Sequence, residues 1–469
     1  MSLTTLDWTS LLGIIVSLVI LMYLAYRGHS VIVLAPILAM FAVVASGGSH
    51  VLLGTYTQVF MKGLGSFVVN FAPIFLLGAL FGKLMDDSGS ARSIAEWLVT
   101  KLGTKHAMLS IVLACAILTY GGVTVFVVGF AVYPIAASLF RKLQIPKRFI
   151  PGAIGLGAFT FTMTALPGTP AIQNAIPMRF FQTDSFAAPG LGIIASLIMF
   201  ILGMMWLNYR QNKAMSAGEG YGEHKEDIHI DAHPNDPGIG IAMLPIILVI
   251  AINFFCVKYF IPSMDTSYLA DPKYGNTSLS SVLGTWSIII ALVIACVAII
   301  LLNRKSLTNV RESVSKGALS SLLPIFNTAS EVGYGSVIAS LAGFAIVKNL
   351  MLGISPGNPI ISEAVFINVM AGITGSASGG LSIALQTLAD TYMQLAQQFG
   401  IDPELLHRVA SISSGGLDAL PHNGAIISLL TICALTHRES YKDVFMVAVA
   451  IPIVALAVMI ALGTMFGSF

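Results

Sequence analysis

Two ionisable residues stand four apart in an apolar run near the end of the chain: Asp418 and His422, in GGLDALPHNGAI (415–426). Imidazole titrates near neutrality, and a carboxyl taken out of water is displaced towards neutrality, so either could take up and release a proton. If the segment is still helical there, that spacing puts both on one face. The structural alternative has Asp418 capping a half-helix and His422 holding a loop. Small polar groups lie in similar apolar surroundings: Ser376 and Ser378 after Gly375, Asn423 before Gly424, and earlier Thr124, Thr169 and Asn174. Side chains of this kind read hydroxyls, and helix N-termini beside them suit a carboxylate. Gln173 adjoins Asn174 and is expected to line the same place. Arg179 could attract an anion or lie at the outer membrane surface. Glu331, after Asn327 and Thr328, is an ionisable candidate at depth or a marker of the outer interface, and His407 with Arg408 are expected as interfacial anchors.

The elements that position these groups recur. Residues 165–172 read ALPGTPAI and residues 419–426 read ALPHNGAI, 254 residues apart, with five of eight positions identical. The same offset sets YGGVT (120–124) against TGSAS (374–378), so Gly121 falls on Gly375. Each half thus holds a small-residue break, with Gly121 and Gly122 in the first, and a Pro-containing break in the next apolar stretch. Proline removes a helical donor and clashes with the preceding turn, and glycine relieves the geometry. Paired breaks in corresponding segments point to a secondary transporter with its site at the breaks. Close helix packing is the competing account of the Gly/Ser runs.

Hydrophobic residues make up 56% of the chain and charged residues 10%, against about 25% charged in soluble domains. A multi-span membrane protein follows, embedded in a lipid bilayer. Stretches such as 10–26, 190–208, 239–257, 284–302 and 444–466 suffice for the roughly 20 apolar residues of a span. Residues 10–26 read as a retained span. The fold class expected is an all-α polytopic membrane protein of about ten spans. The net charge of +2 is spread over loops and gives no nucleic-acid-binding face. Cys115, Cys256, Cys296 and Cys433 lie in apolar segments and read as reduced thiols.

Lysine and arginine collect in cytoplasmic loops. Clusters at Lys83–Lys105, Arg141–Arg148, Arg210–Lys213 and Arg304–Lys316 therefore flank residues 107–140 on one side, and that stretch reads as a re-entrant hairpin. Its counterpart, 362–397, has acidic flanks and is expected to enter from the opposite face. With five crossings and one hairpin per half, the halves are inverted repeats. The first repeat is 1–208, with broken helix 151–181. The second is 239–469, with broken helix 403–436. Between them, 209–238 is a polar cytoplasmic linker. Its His224, His229 and His233 could bind a metal, but no helix pins them, and a solvated linker is the better reading. Residues 90–103 are expected along the interface, with 336–353 as their mate.

GSASGGLSIAL (375–385) followed by SISSGGLDALPHNGAII (411–427) resembles the gluconate permease family, closest to its branch of D-β-hydroxybutyrate permeases. GVTVFVVGFAVYPIA (122–136) is similar to that family's first-half hairpin. The resemblance implies proton-coupled uptake of small hydroxy acids, homodimers and elevator-type movement at the bacterial inner membrane, with no organic cofactor. Val127-Val128 stand where the gluconate branch has an acidic residue, which favours a shorter, less polar monocarboxylate such as 3-hydroxybutyrate. A sodium-coupled anion symporter and a cation/proton antiporter are the alternatives. Soluble-enzyme motifs are missing. A membrane-embedded enzyme would have to pair His422 with Ser413 or Ser414.

Overall fold

A computed structural model describes residues 5–27, 29–224 and 236–469. The described chain is helical throughout. The first half runs α1 (Thr5–Tyr26), α2 (Val31–Ala45), α3 (Ser49–Asp87), α4 (Ser90–Leu102), α5 (Ala107–Tyr120), α6 (Val125–Lys142), α7 (Ile150–Ala158), α8 (Phe161–Thr164), α9 (Ile172–Phe181) and α10 (Pro189–Ser216). The second runs α11 (Ile239–Ser263), α12 (Leu279–Leu302), α13 (Val310–Ser340), α14 (Phe344–Leu352), α15 (Pro359–Thr374), α16 (Ala377–Phe399), α17 (Pro403–Ser414), α18 (Gly424–Ile432) and α19 (His437–Phe466). From α2 and α12 onward the two series repeat in order: an apolar helix, a long helix, a short bent helix, a helical hairpin, a broken helix and a last span.

By length and composition seven described helices can cross a membrane, or nine with each bent pair counted as one. The 15-residue α2 and the broken helices α7–α9 and α17–α18 fall outside that count, since each piece is too short to span alone. Helix α4 turns 113° into the next segment and α13 turns 94° into α14. The mate of the amphipathic α4 is therefore Phe344–Leu352 only; residues 336–340 finish α13, because the chain leaves the helix at Leu341 in an extended conformation. Helix α6 has 18 residues and is long enough for a span by itself, so the first hairpin has one long arm.

Glycine sets how closely the hairpins fold. A Cβ on Gly380 would overlap the Ala371 backbone of the other hairpin arm, and one on Gly335 would come within 2.9 Å of Ile383. Helix α13 is thereby wedged between α3 and the hairpin α15–α16. Ser17 bridges Tyr334 of α13 (2.9 Å) to Leu38 O of α2 (2.8 Å).

Both described ends of the linker are fastened. Arg148 donates to both oxygens of Glu219 (2.6 and 2.9 Å), and this pairing holds the Glu219 carboxyl below its ordinary range. Arg148 also reaches Asp443 of α19 (3.3 Å), which takes Arg210 and Trp206 as well. Arg92 pairs with Asp236. His229 and His233 lie outside the described residues, and among those described no cluster of three metal-type ligands exists.

Candidate functional site

The first proline break is built from its carbonyls outward. Tyr120 Oη donates to Pro167 O (2.7 Å), Asn253 Nδ2 to Gly168 O (3.2 Å) and Asn174 Nδ2 to Thr169 O (3.0 Å). Gly168 sits at φ +81°, where a side chain would be strained, and its amide donates to Ser185 O. The Thr169 hydroxyl accepts from Ala171 N. Three acceptors that unwinding would leave bare in the membrane are thus satisfied, as the low dielectric demands.

Asn174 is the centre of this cage. Its Nδ2 also donates to Ser185 O, while its Oδ1 accepts from His407 Nε2 (3.1 Å) and Arg408 Nη1 (3.1 Å). Arg408 also donates from Nε and Nη2 to Ala187 O (3.0 and 2.6 Å). His407 Nδ1 is left as acceptor for the Thr183 hydroxyl (2.6 Å). These three residues are fully buried. This corrects two expectations: His407 and Arg408 are not interfacial anchors but the pins joining the two broken helices, and the Asn174 side chain has no group free for substrate. Asn253 was missed. It is the one polar residue in IGIAMLPIILVIAINFF (239–255), and that isolation was a signal.

The second break is bonded to its own hairpin. His422 Nε2 donates to Gly372 O (2.8 Å), and Asn423 Nδ2 donates to Gly375 O (2.9 Å), where Gly375 has φ +63°. His437 donates to Pro421 O and Tyr441 Oη to Ala419 O. Helix α17 stops at Ser414, so Asp418 lies in the unwound stretch and shares no helical face with His422. The four-residue spacing therefore carries no meaning here. Asp418 is buried, with Oδ1 lacking a hydrogen-bond partner. Glu331 is also buried, at 3% exposure, rather than at an interface. Arg179 donates to Asn70 at a recess of about 170 Å³ between α3, α9 and α16.

The halves differ at their helix N-termini. In the second, Ser376 Oγ accepts from Gly379 N at the start of α16, and Asn423 Oδ1 accepts from Ala425 N and Ile426 N at the start of α18, the helix opened by Gly424. In the first, no side chain caps α6, preceded by Thr124, or α9, preceded by Ala171. Both uncapped ends face one cavity of about 430 Å³. Gly122 and Thr124 line it, with Thr119 and Gln173, and α3 closes the far wall with Ile74 and Phe75. Lys83 and Asp86 stand at its α3 end. Gly122 sits at φ +97° with its α-carbon against Pro170; a Cβ would come within 2.8 Å of the ring. Gly121 packs on Ile246 instead, and Gly375, Ser376, Ser378, Asn423 and Gly424 are not among the lining residues. Ser378 pairs with Thr328 (3.2 Å).

Asn423→Ala is expected to destabilise the protein by about 2 kcal/mol, since it removes a helix cap and the partner of a carbonyl. Thermal unfolding in detergent checks this. A variant of native stability with a raised half-saturation constant would return Asn423 to the substrate.

The family model for GntP family permeases matches residues 9–465. This chain belongs to the GntP permease family. The permease is 46% identical over 451 residues to the uncharacterized transporter YxjC of Bacillus subtilis, covering 93% of this chain and 95% of that protein. It is 22% identical over 351 residues to the Gnt-II system L-idonate transporter of Escherichia coli, covering 74% and 75%. A gluconate permease of B. subtilis is 38% identical over 109 residues, 23% of this chain and 24% of that one. Among solved structures, the Alcanivorax borkumensis YdaH transporter shares the fold, with TM-score 0.58 at 16% identity over 88% of this chain and 89% of that one. The permease is thus a transporter for organic acids and not an enzyme, a multi-pass protein of the bacterial inner membrane.

Proposed function

We propose that the permease imports a short-chain hydroxy-monocarboxylate of the 3-hydroxybutyrate kind together with protons, and that the anion binds in the first-half cavity. One observation carries this reading: two uncapped helix N-termini, α6 and α9, face the same cavity. Backbone amides and the helix dipole there favour a carboxylate, while Thr119, Thr124 and Gln173 offer hydrogen bonds to a hydroxyl. The rest of the lining is mostly apolar, including Val125, Phe126, Val127 and Met163. Such a wall suits a short carbon chain better than a sugar acid hydroxylated along its length, because each unmatched hydroxyl would lose its water without a partner. The end near Lys83 belongs to the Lys/Arg-rich face, so the cavity is read as open to the cytoplasm.

Protons are favoured over sodium because the break carbonyls already accept hydrogen bonds: Pro167, Gly168 and Thr169 in one half, Pro421 and Gly375 in the other. Asp418, buried with an unbonded oxygen, is one proton carrier in this reading; His422 is spent on Gly372 O. The homodimer and the elevator movement implied by the resemblance belong to the same proposal.

Uptake of labelled 3-hydroxybutyrate into proteoliposomes tests it. An inward pH gradient should drive accumulation equally in sodium and in choline, and unlabelled 3-hydroxybutyrate should compete better than gluconate. Accumulation that needs sodium, or stronger competition by gluconate, would reject the corresponding half of the proposal.

A further inference from the structure

Beyond Asp418, one more carboxyl lies where the long helix α13 meets the tip of the second hairpin. Glu331 projects from α13 over Gly379, in the first turn of α16, so closely that a Cβ there would overlap its carboxyl. The Ser376 hydroxyl, which accepts from Gly379 N (3.0 Å), is placed to donate to this carboxyl. Glu331 Oε2 has no hydrogen-bond partner. One turn earlier on α13, Thr328 bonds Ser378 of the same tip. Contact between α13 and the tip therefore runs through two polar groups of α13 in an otherwise apolar seam.

The surroundings supply no countercharge. Helix α2 carries no titratable residue. At this level α3 presents Phe60 and Gly63 to α13, and α16 presents Ser376, Ser378 and Gly379. The recess beside Val332 holds Arg179, which donates to Asn70. Among the described residues no charged side chain acts on Glu331. An ionised carboxylate in such a place is costly, while the neutral acid is tolerated. Once ionised, the carboxylate would compete with Ser376 for the first-turn amides of α16, where the helix dipole favours negative charge.

We propose that Glu331 is a proton-binding residue for transport: a proton taken from water on one side sits on its carboxyl while the hairpin tip is packed as seen here, and is released to water on the other side when the tip moves away. Loss of that proton shifts the seam between α13 and α16, so occupancy of Glu331 is linked to hairpin position. This rests on the proton-coupled reading of the permease.

Glu331→Gln keeps the shape of the neutral acid and removes the titration. In proteoliposomes the variant should lose accumulation driven by a pH gradient. Exchange of labelled for unlabelled substrate, which needs no net proton movement, should persist, and its pH dependence should flatten relative to wild type. Glu331→Asp, which keeps a carboxyl, should retain pH-driven uptake. Full pH-driven accumulation by Glu331→Gln overturns the proposal. So does a well-folded Glu331→Gln that loses exchange as well, because that marks a structural role. Wild-type protein driven by sodium and indifferent to a pH gradient overturns the proton reading itself, which separates that failure from an error about Glu331.

Discussion

Asn174→Ala should cost the fold and not merely the affinity for substrate. The amide satisfies Thr169 O and Ser185 O and gives Oδ1 to the buried Arg408 and His407. Its removal leaves Thr169 O bare, while Ser185 O keeps Gly168 N, and takes an acceptor from a buried cation. Leaving a buried donor or acceptor unsatisfied costs about 1–3 kcal/mol, and more at a charged group, a large share of the roughly 5–15 kcal/mol that holds a typical domain together. The expected result is loss of monodisperse protein on detergent extraction. Arg408→Met should do better than Asn174→Ala, since it removes the cation instead of stranding it. A stable, well-expressed Asn174→Ala with a raised half-saturation constant would instead make Asn174 a substrate ligand, as its position after the first break suggests in the sequence.

Val125→Pro should weaken uptake while leaving the fold intact. Val125 is the first residue of α6, where proline is tolerated because that amide has no intrahelical partner. Thr124 before it is extended at φ −65°, ψ 147°, the conformation that a following proline demands. The substitution therefore deletes one free N–H at the cavity and little else. A hydrogen bond to a charged group contributes about 1.5–3 kcal/mol, roughly 10- to 150-fold in affinity. Half-saturation should rise within that range, whereas Val125→Ala, which keeps the amide, should stay near wild type. Unchanged affinity in Val125→Pro, and likewise in Ile172→Pro at the start of α9, would move the carboxylate to the second-half breaks.

Much of the architecture was legible. The breaks at Gly121–Thr124 and Pro167–Pro170, and their partners 254 residues on, separate helices in the structure where the residue types require it. Proline and glycine act on the nearest few peptide units, so their effect can be read without neighbours. The Asp418–His422 pair failed for the opposite reason. Its meaning depended on where α17 ends, and that helix stops at Ser414, followed by Gly415 and Gly416. His407 and Arg408 looked peripheral because ionisable residues usually are. They are buried because α17 packs inside the molecule, and a partner such as Asn174, 234 residues from Arg408, cannot be seen along the chain.

What the sequence by itself determined is the class of molecule: apolar length forces helices across a bilayer, and small-residue and proline breaks force unwound backbone at matched places in each half. What only the tertiary structure decided is which amides at those breaks remain free. Ser376 and Thr124 each stand at the N-cap of the second helix of their hairpin and both carry a hydroxyl, yet Ser376 caps α16 and Thr124 leaves α6 uncapped. Side-chain oxygens reach their own helix or turn away according to what packs beside them. Free donors, and with them the place for an anion, are therefore set by neighbours that folding brings in from distant parts of the chain.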